Sequence, residues 1–222
     1  MGPAILIASG SPGDALHDRA FSHAPARPKV AWIGAANSDS TAPFGRAAEA
    51  FARRYGAEVR HARSIGAGLD LDATRDAIAS ADVLYLAGGD VRQLAERLSA
   101  HRLDEAIRAR HAAGAVTIGL SAGAIGLTRS WVAFPEDEEE GERPFRFPCV
   151  GALPQAIDVH DEESDWEELR ALLAIWAADE PDAVVDAYGI LAGGALEVTD
   201  GGVAHVGPPP KRLRLDRGRI IE

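Results

Sequence analysis

One serine of the chain lies in a context that suits a catalytic nucleophile. Ser121 is the centre of a Gly-x-Ser-x-Gly pattern, Gly119-Leu120-Ser121-Ala122-Gly123, which follows the apolar run Val116 to Leu120 and precedes further small residues. A strand that turns sharply into a helix presents such a hydroxyl at the end of a sheet, and the glycines leave room for the turn. The N–H of Ala122, at the helix start, would point toward an oxyanion. The pattern also arises by chance in turns rich in alanine and glycine, so the strand before it and the helix after it are what favour a nucleophile.

A second strand ends in a pair of glycines. The run Val83 to Leu86 continues into Ala87-Gly88-Gly89-Asp90, just before a helical segment. Alone, this is typical of a plain strand-to-helix turn. Beside Ser121 at the end of a neighbouring strand, it would offer the N–H of Gly88 or Gly89 as a second donor to an oxyanion.

A serine nucleophile needs a general base, and histidine is the usual one. His160 ends the strand-like run Ala156 to His160 and can face the serine from the sheet edge. A lone histidine is more often structural, so the residues alone favour His160 without settling its role. The other histidines fall in helices expected to be solvated, in an early polar loop, or near strand ends without a companion motif: His17, His23, His61, His101, His111 and His205.

Two other acidic features could carry chemistry. Asp158, His160 and Asp161 could bind a metal through oxygen and imidazole, but no second histidine stands at ligand spacing, so neither a metal nor a cofactor is expected. The acidic run Glu136 to Glu140 could supply a triad carboxylate or attract a cationic substrate, although a solvated loop is the simpler interpretation.

The elements that must position these residues form an alternating pattern. Short apolar, β-rich runs alternate with segments of helical periodicity, which predicts βαβ units and a parallel sheet. The predicted strands are 4–8, 29–33, 57–60, 83–86 and 116–120, and later 187–191, 195–198, 203–206 and 212–221. The predicted helices are 44–55, 71–80, 91–98, 103–113 and 166–177. We therefore expect a single domain over residues 1–222: an α/β fold with three layers, doubly wound, with a mostly parallel sheet, helices on both faces and a C-terminal β-hairpin turning at residues 200–202.

Composition restricts the partners and the compartment. The net charge of −11 disfavours nucleic acid, because phosphate binding needs clustered lysine and arginine. The first apolar run is too short to span a membrane, so it predicts a buried first strand. With Cys149 as the single cysteine, no intramolecular disulfide can form, and a reducing, cytoplasmic location fits.

Together these motifs resemble the peptidase E (aspartyl dipeptidase) and cyanophycinase family of serine peptidases, whose fold is related to class I glutamine amidotransferases. The resemblance runs over most of the chain and is carried by the segments 86–94, 119–124, 158–160 and 188–196. It implies that Ser121 is the nucleophile, that His160 is the base, and that Gly88 or Gly89 donates to the oxyanion together with Ala122. A glutamine amidotransferase is disfavoured because that class has cysteine at the elbow.

The chain departs from the family where the third triad member is expected. The turn after Tyr188 usually holds an acid, and the best-matching position here is Ala192. Asp158, on the same strand face as His160 by the period of two, is the nearest replacement. Because loss of the orienting acid can cost about four orders of magnitude in rate, this departure could separate an enzyme from an inactive relative.

Two further departures concern the substrate. After its histidine, peptidase E has Gly-Glu-Thr-Arg, whose arginine is expected to recognise an acidic side chain, whereas this chain has Glu163-Ser164-Asp165-Trp166. An acid there would repel an aspartyl side chain. Ile125 stands where peptidase E tends to have asparagine, which replaces a polar pocket contact with an apolar one. We therefore do not expect Asp-X dipeptidase specificity.

The sequence thus leads to two hypotheses. The first is a peptidase E-like serine hydrolase that cleaves a small peptide or related amide through an acyl-enzyme and without a cofactor. This hypothesis is compatible with a homodimer. The second is a catalytically weak or inactive relative that binds a small ligand in the same crevice. Intact Ser121 and His160 favour the first, whereas Ala192 and Asp165 favour the second.

Overall fold

The computed structural model describes residues 2–7, 14–134 and 143–222. In chain order the strands are β1 (Ala4–Ile7), β2 (Lys29–Ile33), β3 (Glu58–Ala62), β4 (Val83–Leu86), β5 (Val116–Leu120), β6 (Ser130–Ala133), β7 (Phe145–Pro148), β8 (Ala156–Val159), β9 (Val184–Ile190), β10 (Ala195–Thr199), β11 (Gly202–Val206), β12 (Lys211–Asp216) and β13 (Arg219–Ile221). The α-helices are α1 (Asp14–Phe21), α2 (Thr41–Tyr55), α3 (Leu71–Ala79), α4 (Val91–Ala100), α5 (Leu103–Ala112), α6 (Ala122–Gly126) and α7 (Glu167–Asp179).

A seven-stranded sheet of order β11-β10-β1-β5-β4-β2-β3 lies at the centre. Strands β1 to β5 pair in parallel, and the hairpin β10–β11 adds to the β1 edge in antiparallel orientation. The predicted α/β fold with a mostly parallel sheet and a late hairpin is therefore confirmed. Because the strands β4 and β5 are parallel neighbours, their carboxyl ends open side by side at the same edge.

Alternation along each strand divides the core between the two faces of this sheet. Val30 and Trp32 of β2 face the cluster formed with α1 and α2, whereas Ala31 and Ile33 face the cluster that includes α3, α4 and α5. Both clusters consist of buried apolar side chains, which explains why the central strands consist mainly of apolar residues. The helices on both faces hold the strand ends in place.

A second sheet, of order β13-β12-β9-β8, was not anticipated. Residues 212–221, predicted to form one edge strand, instead form the hairpin β12–β13, because Arg217 and Gly218 adopt positive φ angles of 49° and 78°. Strand β12 pairs on its other side with β9, and β9 pairs in parallel with β8. The segment that leads to His160 therefore belongs to this second sheet and not to the central one.

Two segments differ from the predicted loops. His17, assigned to a polar loop, lies in α1, whose Leu16, Ala20 and Phe21 form an apolar stripe on the sheet. After Ser130, the strands β6 and β7 pair in antiparallel orientation where an irregular excursion was expected. The acidic run Glu136 to Glu140 lies outside the described residues, and that residues 1–222 form one domain stays a prediction. Among the described helices, none has the length and apolar character needed to cross a membrane.

Candidate active site

Ser121 occupies a strained turn between a strand and a helix. It follows β5 directly and precedes α6, with φ 50° and ψ −118°. Such a positive φ is uncommon outside glycine and clusters at functional sites. The turn depends on close packing: a Cβ on Gly119 would lie 2.7 Å from Ala124 Cα, and one on Gly123 would lie 2.2 Å from the carbonyl oxygen of Leu86. The predicted elbow is therefore present, and its glycines are sterically required.

His160 is the histidine that reaches this serine. Its Nε2 lies 3.0 Å from Ser121 Oγ. The residue directly follows β8, adopts a φ of 46°, and its backbone N–H donates to the carbonyl oxygen of Ile190 at 2.9 Å. The imidazole thus approaches the elbow from the second sheet, so the expectation that both groups hang from the edge of one sheet is corrected.

The other six histidines lie at other places in the fold. His111, expected to be solvated, is buried, and its Nδ1 lies 2.9 Å from Thr117 Oγ1. His23 contacts Glu197, and His61 stacks on Phe44. The remaining three lie on α1, at the end of α4 and on β11: His17, His101 and His205. Of the seven histidines in the chain, only His160 has a ring nitrogen within hydrogen-bond distance of Ser121.

The paired glycines lie against the elbow. A Cβ on Gly88 would lie 3.3 Å from Ser121 Cβ, and one on Gly89 would lie 2.2 Å from the carbonyl oxygen of Ala36. Gly89 also has a φ of 147°, which side chains rarely allow. The N–H of Gly89 donates to no described backbone carbonyl. Ala122 is the first residue of α6, so its N–H has no acceptor within that helix. The N–H of Gly88 likewise donates to no described backbone carbonyl, so the role of these groups as oxyanion donors stays a prediction.

Asp158 does not make the expected contact with His160. Strand β8 ends at Val159 and His160 adopts a positive φ, so the alternation that would place both side chains on one face is broken. Asp158 Oδ1 accepts from the N–H of Val159 at 2.7 Å, while Oδ2 has no hydrogen-bond partner. No described carboxylate is hydrogen-bonded to the imidazole. The role of Asp158 as the orienting acid therefore stays a prediction without a supporting contact.

The environment of Asp158 favours the protonated form of its carboxyl group. Burial is the main cause that raises the pKa of Asp158 to about 8, and the charges of Asp161 and Glu168 add to it. The N–H groups of Val159 and Leu169 oppose this rise. A neutral carboxyl cannot balance the charge of an imidazolium, so Asp158 in this state lacks the property that a triad acid needs.

This raised pKa predicts how stability depends on pH. The folded state holds a proton on Asp158 that the unfolded chain releases above its ordinary pKa of 3.8. Stability from this group is therefore complete at low pH and is lost as the pH rises toward about 8, by up to about 1.4 kcal/mol per pH unit. We expect Asp158→Asn to lack this loss, so that the free energy of unfolding in urea falls less between about pH 5 and pH 8 than in the wild type. Parallel pH curves for the two proteins would contradict the raised pKa.

In the resembled family, the turn that follows the late strand holds the acidic third member of the triad. In this chain the matching residue is Ala192. Ala192 carries no carboxylate, but its backbone N–H donates to Glu162 Oε1 at 2.9 Å. Glu162 comes from the loop that follows His160, so a carboxylate reaches this turn from another segment. This residue was missed because only the pairing of β8 with β9 brings the two loops together.

Ser121, His160, Gly89 and Ala122 line one cavity of about 210 Å³. Apolar side chains form part of its wall, and Ile125 is among them, as the sequence indicated: Val91, Ile125 and Val159. Among the described residues, no group of three or more histidine, cysteine, aspartate or glutamate side chains is arranged to hold a metal ion. Cys149 lies outside this cavity, and burial raises its pKa to about 12, so it is not a thiolate nucleophile.

Asp165 does not face the serine. Its carboxylate pairs with Arg170 at 3.1 Å, and neither residue lines the cavity. Asp165 is therefore not positioned to repel an acidic substrate beside Ser121, and this expectation is corrected. Three other acidic residues line the cavity instead: Asp158, Asp161 and Glu168. Glu168 carried no signal in the sequence, because an acid in the first turn of a helix is ordinary.

Comparisons with known proteins agree with this architecture. The model of peptidase family S51 matches residues 5–206. A search of curated proteins found no match. The chain is similar to the crystal structure of a peptidase from an acI-B1 actinobacterium, with 20% identity, a TM-score of 0.72, and coverage of 100% of this chain and 96% of that one. It is also similar to a protein from Listeria monocytogenes EGD-e described as a candidate peptidase E, with 17% identity, a TM-score of 0.67, and coverage of 94% of this chain and 100% of that one. At these identities the similarity shows a shared fold.

Proposed function

The chain belongs to peptidase family S51 and is a peptidase-type serine hydrolase, and on that premise we propose that it cleaves a small peptide or related amide through an acyl-enzyme on Ser121. His160 is the proposed general base. The observation that carries the proposal is the 3.0 Å separation of Ser121 Oγ and His160 Nε2 at a strained elbow. A cytoplasmic location is part of the same proposal, and homodimer formation stays a prediction.

The proposed reaction has two stages. Ser121 Oγ attacks the carbonyl carbon while His160 Nε2 takes the hydroxyl proton, and the C–N bond then breaks as His160 gives that proton to the leaving amine. Water, activated by the same imidazole, hydrolyses the ester on Ser121. No cofactor takes part in these proton transfers.

The oxyanion of the tetrahedral intermediate has two proposed donors. The N–H groups of Gly89 and Ala122 border the same cavity as Ser121, and α6 begins at Ala122. Donors that are fixed before the reaction stabilise the developing charge without reorganisation. Gly88 is proposed to serve mainly by allowing the close approach of this turn to Ser121, since a larger residue would contact the serine Cβ.

The second candidate function is a ligand-binding relative with weak or no activity. The observation that favours it is the imidazole of His160, to which no described carboxylate is hydrogen-bonded, together with Ala192 at the turn where the resembled family has its acid. Without an orienting acid, the imidazole samples unproductive orientations and its positive charge is less stabilised. The serine and the cavity would then serve binding alone.

A fluorophosphonate probe distinguishes these two functions. An activated serine attacks the probe's phosphorus atom, so we expect wild-type protein to be labelled within minutes and Ser121→Ala to remain unlabelled. Ser130→Ala is a matched control, because Ser130 is a buried serine on β6 outside the cavity. Labelling would be read by mass spectrometry of the intact protein. An unlabelled but correctly folded wild-type protein would favour the binder.

A further inference from the structure

The loop that carries His160 has an unfavourable backbone conformation. Residues 160–166 connect β8 to α7, and three of them adopt positive φ angles although none is glycine: His160 at 46°, Asp165 at 53° and Trp166 at 63°. Residues with side chains persist in this conformation only where the surrounding contacts hold them there. The contacts that this loop makes with the rest of the fold therefore decide where the imidazole lies.

Strand β9 holds both ends of the loop. The N–H of His160 donates to the carbonyl oxygen of Ile190 at 2.9 Å, at the end of this strand. At the other end of the loop, Trp166 is buried and packs on Gly189, where an added Cβ would lie 2.4 Å from the indole ring. Only a residue without a side chain permits this close approach. The two ends of the loop are thus fixed on neighbouring residues of one strand.

The middle of the loop is joined to the turn that follows β9. Glu162 Oε1 accepts from the N–H of Ala192 at 2.9 Å. The turn itself is closed by the N–H of Gly194, which donates to the carbonyl oxygen of Leu191 at 2.9 Å, and Gly193 has a φ of 76°. In a turn of this kind the N–H of the second residue takes no part in the closing hydrogen bond. It is therefore open to an acceptor from another segment, and Glu162 supplies that acceptor.

Other hydrogen bonds order the loop internally. The hydroxyl of Ser164 and the N–H of Trp166 both donate to the carbonyl oxygen of Asp161 at 3.2 Å. These bonds make the loop compact, but they do not join it to β9 or to the turn after it. Among the described hydrogen bonds, the one made by Glu162 is the side-chain contact that does so, and it lies two residues from His160.

From these contacts we infer that Glu162 is a positioning residue for His160. By accepting from the N–H of Ala192, it holds the loop in the conformation in which His160 Nε2 lies 3.0 Å from Ser121 Oγ. This inference rests on the proposed hydrolase function. Glu162 does not line the cavity, so it acts through the backbone of the loop and not on the substrate. The role requires an acceptor oxygen at this reach and does not require a negative charge.

Two variants of Glu162 test this role. A panel of aminoacyl aminomethylcoumarin amides identifies the substrate that the wild type cleaves fastest. With this substrate we expect Glu162→Ala to lower kcat by about tenfold, because one lost hydrogen bond lets the imidazole leave its productive orientation, and to change KM by less than about twofold. Glu162→Gln keeps a carbonyl oxygen at the same reach and should retain kcat within about twofold of the wild type. An equal loss in both variants would overturn the inference, since the charge would then matter and not the hydrogen bond.

Glu163→Ala is the matched control. Glu163 is the next residue of the same loop, its side chain is exposed, and it does not line the cavity. We expect kcat within about twofold of the wild type, and unfolding of all three variants within about 2 °C of it, because exposed side chains contribute little to global stability. A loss of kcat in Glu163→Ala as large as that in Glu162→Ala would contradict a specific contact with the turn.

The imidazole signal separates this inference from catalysis. In protein labelled with ¹³C-histidine, the resonance of His160 is assigned by its loss in His160→Gln. We expect one narrow resonance in the wild type and in Glu162→Gln, and a shifted or broadened one in Glu162→Ala. This result in a protein that cleaves none of the amides would support the positioning role and refute the hydrolase. Hydrolysis by the wild type, with both kcat and the His160 resonance unchanged in Glu162→Ala, would refute the positioning role alone.

Discussion

Replacing His160 with glutamine is expected to lower kcat for amide hydrolysis by about four orders of magnitude or more. In the wild type, Nε2 lies 3.0 Å from Ser121 Oγ, where it can take the hydroxyl proton as the oxygen attacks. Glutamine preserves a polar side chain of similar reach but cannot accept that proton at neutral pH. Single-turnover kinetics would measure the effect on the chemical step, with the aminomethylcoumarin amide that the wild type cleaves fastest as the substrate. The KM for this substrate should change little if binding is separate from proton transfer.

The matched control for this variant is His101→Gln. His101 lies at the end of α4, outside the cavity, and we expect its replacement to leave kcat within about twofold of the wild type. Equal thermal unfolding of the two variants would exclude a folding defect. A loss of only about tenfold at His160 would mean that the imidazole is poorly oriented in the wild type, and it would move the assignment toward the ligand-binding relative.

Replacing Gly123 with alanine is expected to destabilise the fold by about 3 kcal/mol or more, which corresponds to a fall of roughly 10 °C in Tm. The added Cβ would lie 2.2 Å from the carbonyl oxygen of Leu86 and 3.0 Å from that of Ala87. These are backbone atoms at the end of β4, so they cannot rotate away as a flexible side chain would. To relieve the contact, α6 must move away from β4, and this movement also displaces the hydroxyl of Ser121. Calorimetric unfolding would measure the change in stability. The rate of fluorophosphonate labelling, compared with that of the wild type, would report whether the Ser121 hydroxyl has been displaced.

Gly45→Ala provides the matched control for this change. Gly45 lies on the exposed side of α2, and no atom beyond its chain neighbours and helix backbone lies within 4 Å of the added Cβ. The same substitution should therefore stabilise the protein by about 0.5 to 1 kcal/mol, because alanine loses less backbone entropy in a helix. If both variants had similar stability, close packing of the elbow on β4 would not be the reason for the glycine.

The parts of the fold that the sequence predicted best are those that depend on patterns of neighbouring residues. The bounds of β2, β4 and β5 were predicted to the residue, because each is a short, mainly apolar run bounded by glycine, alanine, proline or polar residues. Ser121 and the paired glycines were found the same way, since strain and close approach require particular residue types at fixed spacing. The assignment of His160 as the base depended more on the resemblance to a family than on the neighbouring residues. A single histidine at a strand end has no local sequence pattern that distinguishes a catalytic residue from a structural one.

The parts that were missed depend on contacts between distant segments. The burial of His111 follows from its position near Thr117, and the second sheet follows from the pairing of β8 with β9 and of β9 with β12. The expected contact between Asp158 and His160 assumed an alternation that ends where His160 adopts a positive φ. Such a dihedral is set by the packing around the residue, and the residue type does not reveal it.

The sequence by itself determined the α/β architecture, the serine elbow and the glycine turn beside it, because these depend on hydrophobic periodicity and on steric rules within a few residues. Only the tertiary structure decided that the imidazole arrives from a second sheet, that Glu162 reaches the turn at Ala192, and that three carboxyl groups line the same cavity as Ser121. The physical reason is that burial and electrostatic interaction depend on distance in space. Strand pairing and helix packing bring these carboxyl groups together from β8, α7 and the loop between them.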